Sequence, residues 1–267
     1  MSRPTISVEE LRSRLDDVRL FDLRWSLTDP AHGIASYRGG HIPGAVFVDL
    51  DHDLSAPEGG GRHPLPSPDD FTTTLGRLGI TPDDDVVVYD DVGGAVAARM
   101  WWMLRSIGHD RVSLLDGGMK AWNESGHDVE TGEVLPARTT YPPVSGFRWV
   151  LGHDQLANRT IVDVRAPERY RGDREPVDPK AGHIPGALNL PLAGNLGEDG
   201  RFLNEEDLRR RYESLPDDVV FSCGSGVNAC HSALAMNLAG RPMPDVYIGS
   251  FSDWSRRDLP VKTGNEP

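Results

Sequence analysis

The sequence predicts an α/β protein of two tandem domains, each a parallel sheet flanked by helices. A set of motifs that occurs twice along the chain predicts the duplication. Short apolar runs that alternate with longer amphipathic stretches predict strands and helices in alternating order. A length of 267 residues, of which 38% are hydrophobic, is enough to build one core in each domain.

The two copies carry the same motifs in the same order. Copy one has Phe-Asp-Leu-Arg at 21–24 and Gly-His-Ile-Pro-Gly-Ala at 40–45, and copy two has Val-Asp-Val-Arg at 162–165 and the same hexapeptide at 182–187. Copy one holds extra chain in its middle, which includes residues 51–68. Each copy closes on a glycine that precedes a tryptophan by five residues, Gly117 with Trp122 and Gly249 with Trp254.

The local pattern places strands and helices in each copy. Apolar runs predict buried strands at 86–89, 113–115, 161–164 and 219–222. Amphipathic stretches predict helices at 9–15, 69–78, 95–107, 205–212 and 227–238. The proline-containing segment that follows copy one predicts a linker. We therefore expect a non-catalytic domain at 1–133, a linker at 134–146 and a catalytic domain at 147–267.

The composition excludes several classes of partner. The formal net charge is −13, so the surface repels phosphate backbones and anionic lipid, and we expect neither nucleic acid nor membrane as a partner. No apolar run approaches the roughly 20 residues that span a bilayer, and no signal peptide is evident, so we expect a cytoplasmic protein. The two cysteines, Cys223 and Cys230, suit a reducing compartment. Because the surface is acidic overall, an anionic substrate would need a local positive field to bind.

The chemistry is predicted at the loop that follows the run 219–222, which reads Cys223-Gly-Ser-Gly-Val-Asn-Ala229. Active sites of open parallel sheets lie at the carboxyl ends of strands. Gly224 and Gly226 let the loop curl with its N–H groups pointing inward, and the next helix directs its N-terminus at the same centre. These features favour a thiolate, so Cys223 is predicted to be a nucleophile that holds a persulfide. The alternative is a buried small residue at a strand end.

The second cysteine is predicted to be structural. Cys230 falls on the helical stripe of Val227, Leu234 and Leu238, which indicates burial in the core. The alternative, a redox pair with Cys223, stays open.

The duplicated architecture, the paired GHIPGA motifs, the glycine-to-tryptophan closures and the CGSGV loop together resemble the tandem-domain rhodanese family. The resemblance covers nearly the whole chain. It implies two similar α/β domains, of which only the C-terminal one carries the catalytic cysteine. Asp90 stands at the matching place in copy one, as in that family's inactive domain.

Within that family, 3-mercaptopyruvate sulfurtransferases carry CGSGVTA, whereas thiosulfate-preferring members carry basic side chains directly after the cysteine. Gly224 and Ser225 therefore place this chain closer to the first group. Asn228 stands where that group has threonine, and an amide still donates toward an anion in the loop. The resemblance implies that the donor lies against Gly224, Gly226, Val227 and Asn228.

Arg169 is predicted to bind the anionic end of the donor. It follows the run 161–164, where the resembling family has a substrate-binding arginine, and a guanidinium fork matches a carboxylate. The alternative is a surface arginine. The mercaptopyruvate branch of the family has a second arginine nearby, for which Arg174 is the candidate in a segment that is shorter here. Arg165 shares a repeat-wide position with Arg24, which predicts a structural salt bridge.

The resemblance also implies a proton relay that includes the extra segment of copy one. In 3-mercaptopyruvate sulfurtransferases an aspartate and a histidine from this segment act with the serine after the cysteine, which gives Asp53, His63 and Ser225 here. Such a relay moves a proton as the enolate leaves. The alternative is a polar loop in which His63 is only hydrogen-bonded. His41 and His183 occur in both copies and are predicted to be structural turn residues.

The predicted function is transfer of sulfane sulfur from 3-mercaptopyruvate, through a persulfide on Cys223, to a thiol, a thioredoxin-like protein or cyanide. No cofactor or metal is expected, because the histidines lack zinc-binding spacing and two cysteines alone build no zinc site. The alternatives are a thiosulfate sulfurtransferase and a sulfur-carrier or binding module without turnover. A cysteine phosphatase is disfavoured because no arginine lies within 223–231 to clamp phosphate.

Overall fold

A computed structural model describes residues 3–267, which divide into two compact units. The first unit contains the chain up to Ser55, Pro66–Arg148 and Glu198–Arg201. The second contains Ala56–Leu65, Trp149–Gly197 and Phe202–Pro267. The piece Ala56–Leu65 of copy one's extra segment therefore belongs to the second unit. Each unit has one five-stranded parallel sheet with helices around it, which confirms the predicted fold class.

The sheet of the first unit has the strand order β1-β5-β4-β2-β3. Its strands are β1 (Thr5–Ile6), β2 (Val18–Asp22), β3 (Val46–Phe47), β4 (Asp85–Tyr89) and β5 (Val112–Leu115). The central strand β4 is buried on both faces, as its continuous apolar sequence predicts. It ends directly before Asp90.

Six helices accompany this sheet: α1 (Val8–Arg12), α2 (His32–Gly39), α3 (Leu50–Asp53), α4 (Pro68–Arg77), α5 (Ala97–Ser106) and α6 (Gly118–Glu124). Helix α4 begins where the sequence has a start signal, because the Ser67 hydroxyl accepts the Asp70 N–H and Pro68 occupies the first turn. Helix α1 is shorter than the predicted 9–15, and a 3₁₀ turn at Leu15–Asp17 follows it. Residues 134–146 form neither helix nor strand.

The second unit repeats the same strand order, β6-β10-β9-β7-β8. Its strands are β6 (Val150–Leu151), β7 (Ile161–Asp163), β8 (Leu188–Asn189), β9 (Val220–Ser222) and β10 (Asp245–Tyr247). Its helices are α7 (Pro167–Arg171), α8 (Glu205–Tyr212), α9 (Val227–Leu238) and α10 (Ser250–Trp254), with 3₁₀ turns at His153–Gln155 and Leu192–Asn195. The bounds of α8 and α9 match the predicted ranges.

Each unit has its own apolar core on its sheet. The first core joins Leu20 and Val87 to Trp122, and the second joins Ile161 and Val220 to Phe251. No helix within residues 3–267 has the length and apolar character needed to cross a membrane.

Candidate active site

Cys223 is the first residue after the central strand β9 of the second unit. The residue is only 2% exposed. Its Sγ accepts the Gly226 N–H at 3.1 Å, and its own N–H donates to the Ser250 hydroxyl at 3.0 Å. The loop therefore wraps around the sulfur and directs a backbone N–H donor at it.

The turn from the loop into α9 requires glycine. Gly226 has a φ of 79°, in the left-handed region, and a Cβ atom at this position would lie 2.3 Å from the Ile248 carbonyl oxygen. The close approach brings the end of β10 against the loop. Helix α9 starts at the next residue, so its N-terminus lies next to Cys223.

The start of α10 fixes the loop from the other side. The Phe251 N–H donates to the Cys223 carbonyl at 3.0 Å, and the Ser252 N–H donates to the Gly224 carbonyl at 2.8 Å. Ser250 has a φ of 51°, and its hydroxyl lies 3.9 Å from Cys223 Sγ. Ser250 was not predicted as a site residue from the sequence, although its position directly after the repeated glycine Gly249 could have indicated it.

Cys230 lies one helical turn into α9 with no exposed surface. Its thiol donates to the Gly226 carbonyl at 3.2 Å, and it is a free cysteine, as Cys223 is. This placement agrees with the predicted structural role.

Ser225 and His63 are in direct contact. The Ser225 hydroxyl and His63 Nδ1 are 2.8 Å apart, and both residues are less than 10% exposed. The two residues are 162 positions apart in the chain. They meet because His63 lies in Ala56–Leu65, the piece of copy one's extra segment that belongs to the second unit.

Asp53, the third residue of the predicted relay, lies at the end of α3 in the first unit. Its carboxylate forms an ion pair with Arg77 and accepts the Asp49 N–H at 2.9 Å. Burial raises the pKa of Asp53, and the Asp49 N–H and the Arg77 charge offset part of that effect. The role of Asp53 in a relay stays a prediction.

Arg169 lies on α7 in a cluster of charges. Its Nη2 donates to Glu175 at 2.7 Å and to Asp178 at 3.1 Å, and its Nε donates to Glu175 at 3.2 Å. Burial acts to raise the pKa of Glu175, but the Arg169 guanidinium and the N–H groups of Val177 and Asp178 outweigh it and hold the pKa below its usual value. The side chain of Arg169 is 21% exposed, so a ligand can reach it.

Arg62 is a second arginine at the loop, and sequence reasoning missed it. Its Nη1 forms an ion pair with Asp178, and its N–H donates to the Ser252 hydroxyl at 3.0 Å. A Cβ atom on Gly224 would lie 2.9 Å from Nη2 of Arg62 and 3.4 Å from Nη1 of Arg169. Both guanidinium groups thus lie beside the residue that follows the cysteine.

The remaining predicted binding residues are placed differently. Val227 is the buried first residue of α9, and Asn228 follows it with a half-buried side chain. Arg174 is exposed, and its N–H donates to the Glu168 carbonyl at 3.2 Å. Their roles in donor binding stay predictions.

The residues that occur in both copies have structural contacts. Arg165 donates to both oxygens of buried Asp163, as Arg24 does to Asp22, which is the predicted salt bridge. The two GHIPGA histidines also have matching contacts. The ring of His41 stacks on Tyr37, the ring of His183 stacks on Tyr170, and Nδ1 of each histidine is hydrogen-bonded to the backbone carbonyl of its tyrosine. This agrees with the structural role predicted for both.

Asp90 occupies the position in the first unit that corresponds to the cysteine. Its carboxylate accepts four backbone N–H groups, from Val92, Gly94, Val96 and Ala97, at 2.8 to 2.9 Å. Burial raises the pKa of Asp90, and the four N–H groups oppose that effect. The loop after the central strand therefore has the geometry of an anion cradle in the copy that lacks the cysteine.

Within residues 3–267, no group of three or more His, Cys, Asp or Glu side chains is arranged to hold a metal ion. The groups that the structure brings together at the site are the buried Cys223 thiol, the hydrogen-bonded pair of Ser225 and His63, and two arginines.

Comparison with known proteins identifies the family. The rhodanese-like domain model matches residues 7–125 and 149–257, one match in each copy. The chain is 42% identical to a probable 3-mercaptopyruvate sulfurtransferase of Pseudomonas aeruginosa over 99% of both chains. It is also 42% identical to a putative thiosulfate sulfurtransferase of Mycobacterium tuberculosis, over 90% of this chain and 88% of that protein.

A solved structure gives the same result. The 3-mercaptopyruvate sulfurtransferase of Leishmania major superposes with a TM-score of 0.86 at 32% sequence identity, over 95% of this chain and 74% of that one. The resemblance seen in the repeated motifs is thus confirmed by both sequence and structure, and this chain belongs to the rhodanese-like domain family, which it contains in two copies.

Proposed function

We propose that this chain is a sulfurtransferase that moves sulfane sulfur from 3-mercaptopyruvate to a thiol or cyanide through a persulfide on Cys223. The observation that supports this proposal most is the 2.8 Å hydrogen bond between His63 and Ser225. Ser225 lies two positions after Cys223, whose sulfur accepts the Gly226 N–H. A hydrogen-bonded serine and histidine close in the loop to a cysteine support a proton-transfer step coupled to attack by that cysteine.

In the first half-reaction the Cys223 thiolate attacks the sulfur of 3-mercaptopyruvate. The new S–S bond forms as the C–S bond breaks, and the electron pair of the C–S bond leaves with pyruvate as its enolate. The donor's thiol proton ends on the enolate carbon, which yields pyruvate and an anionic persulfide. We propose that Ser225 and His63 carry that proton and that the Gly226 N–H stabilises the charge on sulfur, which their hydrogen bonds support.

In the second half-reaction the acceptor attacks the outer sulfur of the persulfide. The S–S bond breaks and its electron pair returns to Cys223 Sγ, which restores the thiolate. With cyanide the product is thiocyanate, and with a thiol the product is a new persulfide. We propose a small thiol or a thioredoxin-like protein as the acceptor, in a cytoplasmic setting that keeps both cysteines reduced.

The donor is the part of the proposal for which the relatives differ, since they carry the names of both 3-mercaptopyruvate and thiosulfate sulfurtransferases. Sulfite leaves thiosulfate without needing a proton, whereas the enolate of pyruvate must be protonated. A serine–histidine pair has a use only for the second. This difference favours 3-mercaptopyruvate.

Thiosulfate is the second candidate donor, and one observation supports it. Two guanidinium groups lie beside Gly224, and a dianion benefits from nearby positive charge to the extent that neighbouring carboxylates do not offset it. The deciding experiment compares kcat/KM for the two donors at matched pH, ionic strength and cyanide concentration. We expect a higher value for 3-mercaptopyruvate, and faster turnover of thiosulfate would overturn the donor assignment.

A further inference from the structure

We infer that Arg62, Asp178 and Arg169 form a charge-balanced clamp for the singly charged carboxylate of the donor, with Arg62 as its second cation. The inference rests on the proposed function and names the part of the site that selects the donor. It begins with Asp178, whose carboxylate has no exposed surface. One of its oxygens pairs with Arg62 and the other with Arg169, so it holds two guanidinium groups side by side.

The bonds to Asp178 and Glu175 do not use every nitrogen of the two guanidinium groups. Within the described residues 3–267, the side-chain hydrogen bonds of Arg62 use only Nη1, and those of Arg169 use only Nε and Nη2. Nη2 of Arg62 and Nη1 of Arg169 are the two nearest atoms to the position of a Cβ atom on Gly224, at 2.9 and 3.4 Å. Two N–H donors thus converge on one point beside the nucleophile.

The backbone around Arg62 is held in position by packing and hydrogen bonds to the start of α10. A Cβ atom on Gly61 would lie 2.7 Å from the Gly249 carbonyl oxygen, so this turn packs directly on the start of α10. The Arg62 N–H bonds to Ser252, whose own N–H bonds to the Gly224 carbonyl. Arg62 and the cysteine loop are therefore held by the same short segment at the start of α10.

The charges around this point cancel. The two guanidinium groups face two buried carboxylates, those of Glu175 and Asp178. A third arginine, Arg165, also contacts Glu175, and its charge is balanced by the carboxylate of Asp163. The pair of N–H donors therefore offers directed hydrogen bonds without a large surplus of positive charge. A monoanionic carboxylate gains two charge-assisted bonds there, while a dianion lacks the extra cation that its second charge needs.

The experiment measures kcat and KM for 3-mercaptopyruvate and for thiosulfate, with cyanide as acceptor, in the wild type, Arg62→Met, Arg62→Lys and Asp178→Asn. Arg171→Met is the matched control, because Arg171 lies on the same helix as Arg169 and pairs with Asp173 at the surface. Circular dichroism and thermal unfolding establish that each variant is folded. The inhibition constant of pyruvate, a carboxylate without transferable sulfur, reports anion binding separately from turnover.

For Arg62→Met we expect the KM for 3-mercaptopyruvate and the inhibition constant of pyruvate to rise together by about tenfold or more, with a smaller change in kcat. Arg62→Lys should recover part of the loss, because it keeps the charge and loses the fork. Asp178→Asn adds one net positive charge and should raise kcat/KM for thiosulfate relative to 3-mercaptopyruvate.

Unchanged KM and pyruvate inhibition in folded Arg62→Met would overturn the clamp, whether or not Asp178→Asn folds. An unchanged donor ratio in folded Asp178→Asn would overturn the role of charge balance. A wild type that does not turn over 3-mercaptopyruvate would instead refute the proposed function, and a rise in the thiosulfate KM of Arg62→Met would then still support anion binding by Arg62.

Discussion

The pair formed by His63 and Ser225 allows a double-mutant test of the proton step. The variants are His63→Ala, Ser225→Ala and the combination, each assayed with both donors. The two side chains are buried and share one 2.8 Å hydrogen bond. Removing either one takes away the same path for the proton, so the second substitution has little left to remove.

The magnitude follows from what the pair does. A positioned general acid contributes about 10²–10⁴-fold, so each single variant should lower kcat for 3-mercaptopyruvate by about 100-fold. The double variant should be within about threefold of the worse single, a coupling of about 2 kcal/mol. Turnover of thiosulfate should fall much less in every variant, because sulfite leaves without a proton.

Two results would refute this reasoning. Strictly additive losses at the two positions would show that no relay connects them. Equal losses with both donors would mean that His63 supports the loop and does not handle the proton. The control pair is His63→Ala with Arg171→Met, whose effects should simply add, since Arg171 lies at the surface with Asp173.

Three further predictions concern the loops. Cys230→Ser should keep most of the sulfurtransferase activity, measured as thiocyanate formation, because Cys230 is buried and bonded to Gly226; near-total loss would contradict its structural role. Gly226→Ala should lower kcat at least about tenfold, because the Cβ atom meets the Ile248 carbonyl and the left-handed φ is strained; wild-type turnover would show that the loop is not confined. Asp90→Asn should lower the free energy of unfolding by about 2–4 kcal/mol in a denaturant titration, since an amide nitrogen cannot accept two of the four N–H groups; an unchanged midpoint would refute the cradle.

Much of the fold was predictable because the sequence motifs of the domain occur in two copies along the chain. The repeated motifs and the two apolar runs that precede Asp90 and Cys223 predicted two parallel sheets, and α8 and α9 have the predicted bounds. Strands β2 and β10 were not predicted, and neither were the edge strands β1, β3, β6 and β8. Each edge strand has only two residues, which is too short for a recognisable pattern.

Residues that are close in the chain or that the family resemblance indicates, such as Cys223, Ser225 and Arg169, were candidates from the sequence, and their roles stay predictions. Arg62 was not, because it meets Asp178 across 116 positions and comes from the extra segment that the other copy lacks. Nothing in local sequence states that Ala56–Leu65 belongs to the second unit. The charge balance around Arg169 could not be predicted from the sequence either, since it depends on which acidic side chains face the loop.

One mass-spectrometric measurement tests directly whether Cys223 carries the sulfur, as we propose. The wild type is treated with 3-mercaptopyruvate in the absence of acceptor, digested, and analysed for added sulfur while pyruvate is quantified. We expect one added sulfur atom on the peptide at Cys223, one pyruvate released per persulfide, and loss of that sulfur as thiocyanate when cyanide is added. Release of pyruvate with no sulfur on Cys223, or with the sulfur on Cys230, would contradict it.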